Sequence, residues 1–238
     1  MLKYTHGSDN MSKVEISKKK RSQIIIDIIK NNIDVAQALE ILDLLLENIN
    51  DQKIKKWVNA EINGYDSDEE LPKYRIVPAN LSGTIKTYTA IISNYHIPIS
   101  LEEENKLNKH SVRSGINQII QMAKAENESK THALCVPLNI IYINSIACIN
   151  GEVTHAELNL NLYAYTNILG SLKNKILSIL KELEKQYGNL DDYYIDFEND
   201  SKEKKVVNNI TNIIFDKSIK IGDGNDISKS IVGDDNEH

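Results

Sequence analysis

The longest regular pattern in the sequence is a stripe of apolar residues between about Thr166 and Tyr187, with hydrophobic side chains at every third or fourth position. Lysines and glutamates occupy the intervening positions, and Gly188 follows the last of them. This spacing predicts one long amphipathic helix that buries a single face. Because such a helix is stable only against another apolar surface, the rest of the chain must provide that surface. The stripe consists of Ile168, Leu169, Leu172, Ile176, Ile179, Leu180 and Leu183.

Shorter helical patterns lie in the N-terminal part of the chain. Asp34 and Asp51 each precede such a pattern, and their carboxylates can accept hydrogen bonds from the unpaired amides of a first helical turn. Gly64 is expected to end the third predicted helix, Gln52 to Asn63, in the left-handed conformation, which glycine adopts at little cost. Short connections favour antiparallel packing of these helices. The predicted helices begin near Ser22 and span Val35 to Glu47 and Gln52 to Asn63.

In the middle of the chain, apolar residues recur at every second position instead of every third or fourth, which indicates β-strands. Strands are predicted within Tyr74 to Ser93, with Gly83 as a turn between them, and over Val153 to Tyr163. Pro78 favours an edge strand or a bulge, because proline cannot donate to the ladder of a central strand. The segment from Leu138 to Ile149 is apolar almost throughout, so its periodicity is compatible with helix or strand.

The order of these elements predicts an α+β fold. We expect an N-terminal helical bundle packed on a small, mostly antiparallel sheet, with a long closing helix and a polar C-terminal tail. Three regions are predicted: a polar, basic tail over residues 1–20, a folded domain over 21–188, and an acidic linker with a tail over 189–238. The basic run from Lys18 to Arg21 is interpreted as part of the first tail, with a nucleic-acid arm as the alternative.

A short motif occurs twice near the C-terminus. Each copy has an apolar pair, then Gly-Asp, one further residue and Asn. A single repeat cannot bury a face alone, so we expect it to pair with its own domain or with a second chain, and disorder is the alternative. The residues of this possible assembly tail are Gly222, Asp223, Asn225, Gly233, Asp234 and Asn236.

Composition narrows the class of protein. The net charge of −6 argues against a general nucleic-acid binder. No apolar run reaches the roughly 20 residues that span a bilayer, and the start of the chain lacks an apolar signal core, so neither a membrane nor secretion is expected. Cys135 and Cys148 are predicted to be buried, free thiols, in keeping with a cytoplasmic protein, and a disulfide between them is the alternative.

Few residues carry an evident chemistry, and no catalytic residue is assigned. The acidic run that contains Asp66 and Asp68 lacks the ligand spacing of a calcium loop, so a solvated loop is expected. His155 and Glu157 lie on one face of a predicted strand, where they form either an acid–base pair or part of a solvated surface. We therefore predict no metal site and no cofactor.

The segment from Trp57 to Tyr65, followed by Glu70 to Pro78, is the most informative part of the sequence. It combines a helix end, a glycine stop, an aromatic residue just beyond it, and a strand led by a proline. Trp57 and Tyr65 are expected to anchor the corner between helix and sheet. Arg75 is expected to form an ion pair across this corner, with Glu61 or with Glu70.

This segment resembles the signature of the AbiTii family, a bacterial abortive-infection domain. The helix end matches W-[IV]-N-x-E-[LI]-N-G-Y and the strand matches E-L-P-x-Y-R-I-[IV]-P at every position. The resemblance spans about Arg21 to Gly188 and includes a later helix containing Val112-Arg113-Ser114-Gly115-Ile116. The signature residues are Trp57, Asn59, Glu61, Asn63, Gly64, Tyr65, Glu70, Pro72, Tyr74, Arg75 and Pro78.

The resemblance implies a role in defence against bacteriophage, in which an infected cell stops growing or dies, but it implies no catalytic residues. We expect an interaction module that senses a phage component or a protein partner and acts by assembly or self-association. The alternative is a toxic enzyme, a nuclease or nucleotide hydrolase. It would use Glu61 and Arg75 with Asp66 and Asp68, because carboxylates near an arginine can hold a metal and a phosphate.

Overall fold

The computed structural model describes residues 20–197 and 200–216, with only the backbone of Asp200. The predicted N-terminal tail, apart from residue 20, and the Gly-Asp-x-Asn repeats lie outside these ranges. The described residues form an α+β fold of eight helices and a five-stranded antiparallel sheet, so the predicted fold class is confirmed. In chain order the elements are α1 (Gln23–Lys30), α2 (Val35–Leu45), α3 (Gln52–Asn63), a 3₁₀ helix (Lys73–Arg75), β1 (Ile76–Lys86), β2 (Ile91–His96), α4 (Leu101–Leu107), β3 (Lys109–Ser111), α5 (Ile116–Glu128), β4 (Cys135–Pro137), α6 (Ile140–Ile146), β5 (Glu152–Leu160), α7 (Ala164–Tyr187) and α8 (Asp200–Phe215).

The sheet is built around β1, which has neighbours on both sides. The strand order is β2-β1-β5-β4, and β3 pairs with the first residues of β1. The pairing with β5 runs from Ala79 opposite Leu160 to Lys86 opposite Glu152. One face of β5 is buried, as its alternating sequence predicts. Strand β2 therefore forms one edge of the sheet.

Two predictions for β1 were wrong. Gly83 is not a turn: it lies inside β1, opposite Tyr95 on one side and Ala156 on the other. The hairpin turn lies at residues 87–90, where the amide of Thr87 donates to the carbonyl of Ala90 over 2.8 Å. Pro78 belongs to this central strand rather than to an edge. The position tolerates a residue without an N–H because the ladder to β5 begins only at Ala79.

The helix ends at α2 and α3 form by local hydrogen bonds, as predicted. The carboxylate of Asp34 accepts from the amide of Gln37 over 2.9 Å, and the Gln37 side chain accepts from the Asp34 amide over 3.1 Å. Asp51 accepts from the amide of Ile54 over 2.8 Å. These carboxylates satisfy donors that have no partner inside the helix.

Helix α7 joins the two hydrophobic cores. Its first residues, including Tyr165 and Ile168, pack in the core beneath the sheet. Its later stripe, including Leu172, Ile179 and Leu183, packs in the helical core formed with α1, α2, α3 and α8. The predicted closing helix is thus confirmed, and its length allows one element to be shared by both cores.

Helix α8 was not predicted from the sequence. It lies in the region interpreted as an acidic linker, but Val206, Ile210 and Ile214 are fully buried against the helical core. The ammonium of Lys175 on α7 donates to the carbonyl of Ile213 and to the Asp216 carboxylate, both over 2.7 Å. Helix α8 is therefore part of the packed structure.

Removal of α8 should destabilise the protein. A chain ended after Phe197 keeps the buried residues that precede α8 but exposes the apolar surfaces of α3 and α7 that α8 covers. We expect a net loss of about 3 kcal/mol after the entropy of ordering α8 is subtracted. This corresponds to a fall of roughly 10 °C in the thermal midpoint. Circular dichroism would measure the fall against a control chain ended after Asp216, and equal midpoints for the two chains would contradict the role of α8.

The two cysteines are free and exposed, so the prediction that they are buried was wrong. Cys135 begins β4 at the far edge of the sheet. Cys148 follows α6, and within that helix only Ile143 is buried. The apolar run from Leu138 to Ile149 is thus a short helix on the surface of the sheet rather than a buried strand.

Candidate functional site

The AbiTii-like signature lies where α3 ends beside the segment that precedes α5. Gly64 ends α3 with a φ of +105° and a ψ of 161°, a positive-φ, extended conformation rather than the left-handed helical one expected. It forms an isolated bridge with Ser114, and the amide of Tyr65 donates to the carbonyl of Arg113 over 2.8 Å. A Cβ on Gly115 would come within 2.5 Å of the carbonyl oxygen of Ile62, so this contact requires glycine.

The centre of the junction is a buried ion pair. Arg75 donates through Nη2 to Oε2 of Glu61, and both side chains are 0% exposed. Arg75 also donates through Nη1 to the carbonyl of Ser114 over 2.7 Å. Of the two partners considered from the sequence, the structure therefore places Arg75 on Glu61. The Nε atom of Arg75 has no hydrogen-bond partner among the described residues.

Two tyrosines complete the coordination of Glu61. The hydroxyls of Tyr65 and Tyr74 each donate to Oε1 over 2.5 Å, and the indole Nε1 of Trp57 donates to the Tyr74 oxygen over 3.1 Å. Burial, followed by the negative charge of Glu61, raises the pKa of both tyrosines. Both hydroxyls therefore keep their protons and act as donors. These five residues, Trp57, Glu61, Tyr65, Tyr74 and Arg75, form the Glu61–Arg75 cluster.

The charges of Glu61 and Arg75 are paired with each other inside the Glu61–Arg75 cluster. A buried carboxylate is costly unless it is paired and hydrogen-bonded, and Glu61 here has one guanidinium and two hydroxyl donors. The guanidinium also lies over the ring of Tyr65, 5.2 Å from the centroid. The pair connects α3, which carries Glu61, to the start of β1, which follows Arg75. Neither charged side chain reaches solvent, so the pair is not presented to a substrate.

The acidic loop after Tyr65 is held by a residue that sequence analysis did not single out. Arg113 donates through Nη1 to the carbonyls of Asp66 and Glu69, the latter over 3.0 Å. Lys56 pairs with the Glu69 carboxylate at 2.8 Å, and this contact raises the pKa of Lys56 and lowers that of Glu69. Arg113 was expected in a helix, but α5 begins only at Ile116. No sequence pattern indicates its contact with a loop more than 40 residues earlier.

The four residues of the enzyme hypothesis do not form one open site. Asp66 and Asp68 are exposed on the loop, whereas Glu61 and Arg75 lie inside. Among the other signature residues, Asn63 donates to Asn59 over 2.8 Å on the exposed face of α3. The remaining positions follow the chain from the loop into the sheet: Glu70 on the loop, Pro72 before the 3₁₀ helix, and Pro78 in β1.

A pocket of about 420 Å³ lies next to the Glu61–Arg75 cluster, between α3, the loop of residues 65–73 and the end of α8. We call it the α8 pocket. Trp57 and Tyr65 belong to both the cluster and the pocket wall. Its wall combines apolar and aromatic side chains with charged ones. Its lining residues are Lys53, Lys56, Trp57, Ala60, Tyr65, Asp68, Glu69, Glu70, Leu71, Pro72, Lys73 and Phe215.

The side chains of His155 and Glu157 on β5 are in contact on a solvated surface, which is compatible with both alternatives considered from the sequence. His155 Nε2 lies 3.2 Å from Glu157 Oε2, on an exposed part of the sheet. Within residues 20–197 and 200–216, His, Cys, Asp and Glu side chains form no group of three or more that could hold a metal ion. None of the helices in the same ranges combines the length and the apolar character needed to cross a bilayer.

Comparison with known proteins gives one match. The family model named AbiTii matches residues 22–212, which includes the Glu61–Arg75 cluster, the sheet, α7 and most of α8. No curated protein and no solved structure matches the chain. The matched region covers well over half of the 238 residues. The chain therefore belongs to the AbiTii family, which indicates a bacterial abortive-infection defence protein.

Proposed function

We propose that this AbiTii protein acts in abortive infection as an interaction module that self-associates through the open edge of β2. The observation that carries the proposal is that β2 is an exposed edge strand with apolar side chains. All six residues of β2 are exposed, including Ile91 at 69% and Tyr95 at 43%. Tyr88, in the turn that leads into the strand, is fully exposed. Apolar side chains on an edge strand favour pairing with another chain.

The backbone of β2 supports the same proposal. An edge strand presents unpaired N–H and C=O groups, and proteins usually prevent pairing there with lysines, prolines or other charged residues. The strand from Ile91 to His96 contains no lysine, arginine, aspartate, glutamate or proline. Antiparallel pairing of two β2 strands across a two-fold axis is self-complementary, so it ends at a dimer with a continuous sheet.

Charges on β2 should therefore abolish both assembly and defence. In an Ile91→Lys/Tyr95→Lys variant, like charges meet across the two-fold axis, which disfavours pairing. We expect light scattering after size exclusion to give a dimer mass for the wild type and a monomer mass for the variant. We expect phage protection in cells to fall with it.

The matched control is Ile29→Lys/Leu44→Lys, which places two lysines at similarly exposed apolar positions on α1 and α2 (54% and 50%). This control should keep the dimer mass and the protection, and circular dichroism should show that both variants are folded. A monomeric wild type at micromolar concentration, or a monomeric variant that protects fully, contradicts self-association through β2.

The toxic-enzyme alternative gains no support from the geometry. Its two central residues, Glu61 and Arg75, have no exposed surface, and both oxygens of Glu61 accept from other side chains of the protein. A buried ion pair of this kind is explained by its structural role in the junction. We expect the Gly-Asp-x-Asn tail, with Gly222, Asp223 and Asn225 in its first copy, to contribute to assembly as a second element.

A further inference from the structure

The side of β1 that faces away from β5 carries three elements in a row. Strand β2 pairs with the last part of β1, and β3 pairs with its first three residues. The amide of Ala79 donates to the carbonyl of Asn108, next to β3, whereas the carbonyl of Pro78 accepts from Asn161 on the β5 side. Because adjacent residues of a strand direct their backbone groups to opposite sides, β3 lies on the same side of β1 as β2. Helix α4 joins β2 to β3 and contacts β1, so it lies beyond the C-terminal end of β2.

Backbone pairing between two β2 strands is short. Ser93 and Asn94 both lie opposite Thr84, and Asn94 has a φ of +53°, so β2 carries a bulge near its centre. A bulge interrupts the ladder of hydrogen bonds locally. Stable interfaces bury about 800 Å² on each partner, which is more than a strand of six residues provides. A dimer formed through β2 therefore needs contacts beyond the strand itself.

Exposed apolar side chains lie at both ends of β2. Tyr88 is fully exposed in the hairpin tip, residues 87–90, and Leu101 at the start of α4 is 73% exposed. Residues 87–90 carry no charge, and Lys86 at the base of the tip lies opposite Glu152 in β5. The acidic first turn of α4 would therefore not repel the hairpin tip of another chain. Each end thus offers one large apolar side chain that a second chain can cover.

Two-fold symmetry brings these different ends together. In an antiparallel pair of β2 strands, the N-terminal end of each strand lies beside the C-terminal end of the other. The hairpin tip precedes β2 and α4 follows it, so the tip of one subunit extends along α4 of its partner. The symmetry axis repeats this contact, so each hairpin tip meets one α4.

We infer that the hairpin tip of each subunit docks on α4 of a second copy of the chain, with Tyr88 packed against Leu101. The inference rests on the proposed pairing of β2 with β2. It adds two symmetric apolar contacts, which compensate for the bulge in β2 and set the register of the paired strands.

Cross-linking between introduced cysteines tests the contact. In a background with Cys135→Ser and Cys148→Ser, a Tyr88→Cys/Leu101→Cys variant should give a covalent dimer with a short bismaleimide. Each single variant should give none, because the two copies of Tyr88 lie at opposite ends of the paired strands, about 35 Å apart at roughly 3.3 Å per residue. The matched control is Leu44→Cys/Tyr88→Cys, which places the second cysteine on the exposed face of α2 and should also give none.

A Ser93→Cys variant in the same background separates the inference from the proposed function. Residue 93 lies near the centre of β2, so it should cross-link to its own copy wherever β2 pairs with β2. Cross-linking at residue 93 without cross-linking between residues 88 and 101 overturns the inference and leaves the pairing of β2 intact. Tyr88 and Leu101 are then free for another partner. Absence of both cross-links overturns the pairing and the inference together.

Loss of the Leu101 side chain should weaken the dimer. Leu101→Ser removes an apolar contact that occurs twice, so we expect the dissociation constant from sedimentation equilibrium to rise at least about tenfold. Leu44→Ser, at an apolar position on α2 that is 50% exposed, should leave the dissociation constant unchanged. A Leu101→Ser dimer as tight as the wild type contradicts the contact with Tyr88.

Discussion

Replacement of Arg75 by methionine is expected to destabilise the protein by about 3–5 kcal/mol. The substitution leaves the carboxylate of Glu61 without its cation at a site that has no access to water. It also removes the donor to the carbonyl of Ser114, which connects the start of β1 to the segment before α5. Because single domains have total stabilities of about 5–15 kcal/mol, the variant should be largely unfolded or close to it.

Urea unfolding monitored by circular dichroism would measure this loss. The matched control is Arg21→Met, because Arg21 pairs with Glu184 at 3.4 Å but its side chain is 50% exposed, so we expect a change of about 1 kcal/mol or less. A double variant, Glu61→Met/Arg75→Met, should recover part of the stability, since no unpaired charge is then buried. If Arg75→Met costs no more than Arg21→Met, the structural role of the cluster is wrong.

Substitution of Gly83 by alanine is expected to cost about 3 kcal/mol or more. A Cβ at this position would overlap the carbonyl oxygen of His155 in the neighbouring strand and would press on the side chain of Ile97. Neither backbone can move easily, because β1 is paired on both sides at this residue. The loss should appear as a lower urea midpoint.

Gly170 provides the opposite control. It lies in α7, and a Cβ there would meet no atom within 4 Å. Gly170→Ala should therefore stabilise the protein by about 0.5–1 kcal/mol, because alanine loses less backbone entropy in a helix. A Gly83→Ala variant as stable as the wild type would contradict the close approach of β1 and β5.

The elements predicted well are those whose signals are local. The carboxylates of Asp34 and Asp51 bond amides only three residues away, and the stripe of α7 repeats over many turns. The alternation in β5 likewise reports which of its faces is buried. Helix α8 escaped prediction because the acidic residues after Gly188 led to the region's interpretation as a linker. Its sequence does carry an apolar stripe at helical spacing, formed by Val206, Val207, Ile210, Ile213 and Ile214.

The candidate site was predicted in outline. The signature from Trp57 to Arg75 was identified, and the Arg75 ion pair was expected, but the choice of Glu61 over Glu70 depends on which carboxylate the fold encloses. The contact of Arg113 with the acidic loop joins residues far apart in the chain, which no local pattern encodes. The α8 pocket depends on α8 in the same way, since Phe215 is one of its walls.

The sequence by itself determined the helix caps, the alternation of β5, the long closing helix and membership in a family with a specific signature, because each depends on residues close together in the chain. Only the tertiary structure decided that Gly83 lies within a central strand, that Glu61 and Arg75 are buried together, and that β2 is left as an exposed edge. These features depend on distant segments that approach one another. Their energies come from burial and from pairing across the fold, which a one-dimensional pattern does not contain.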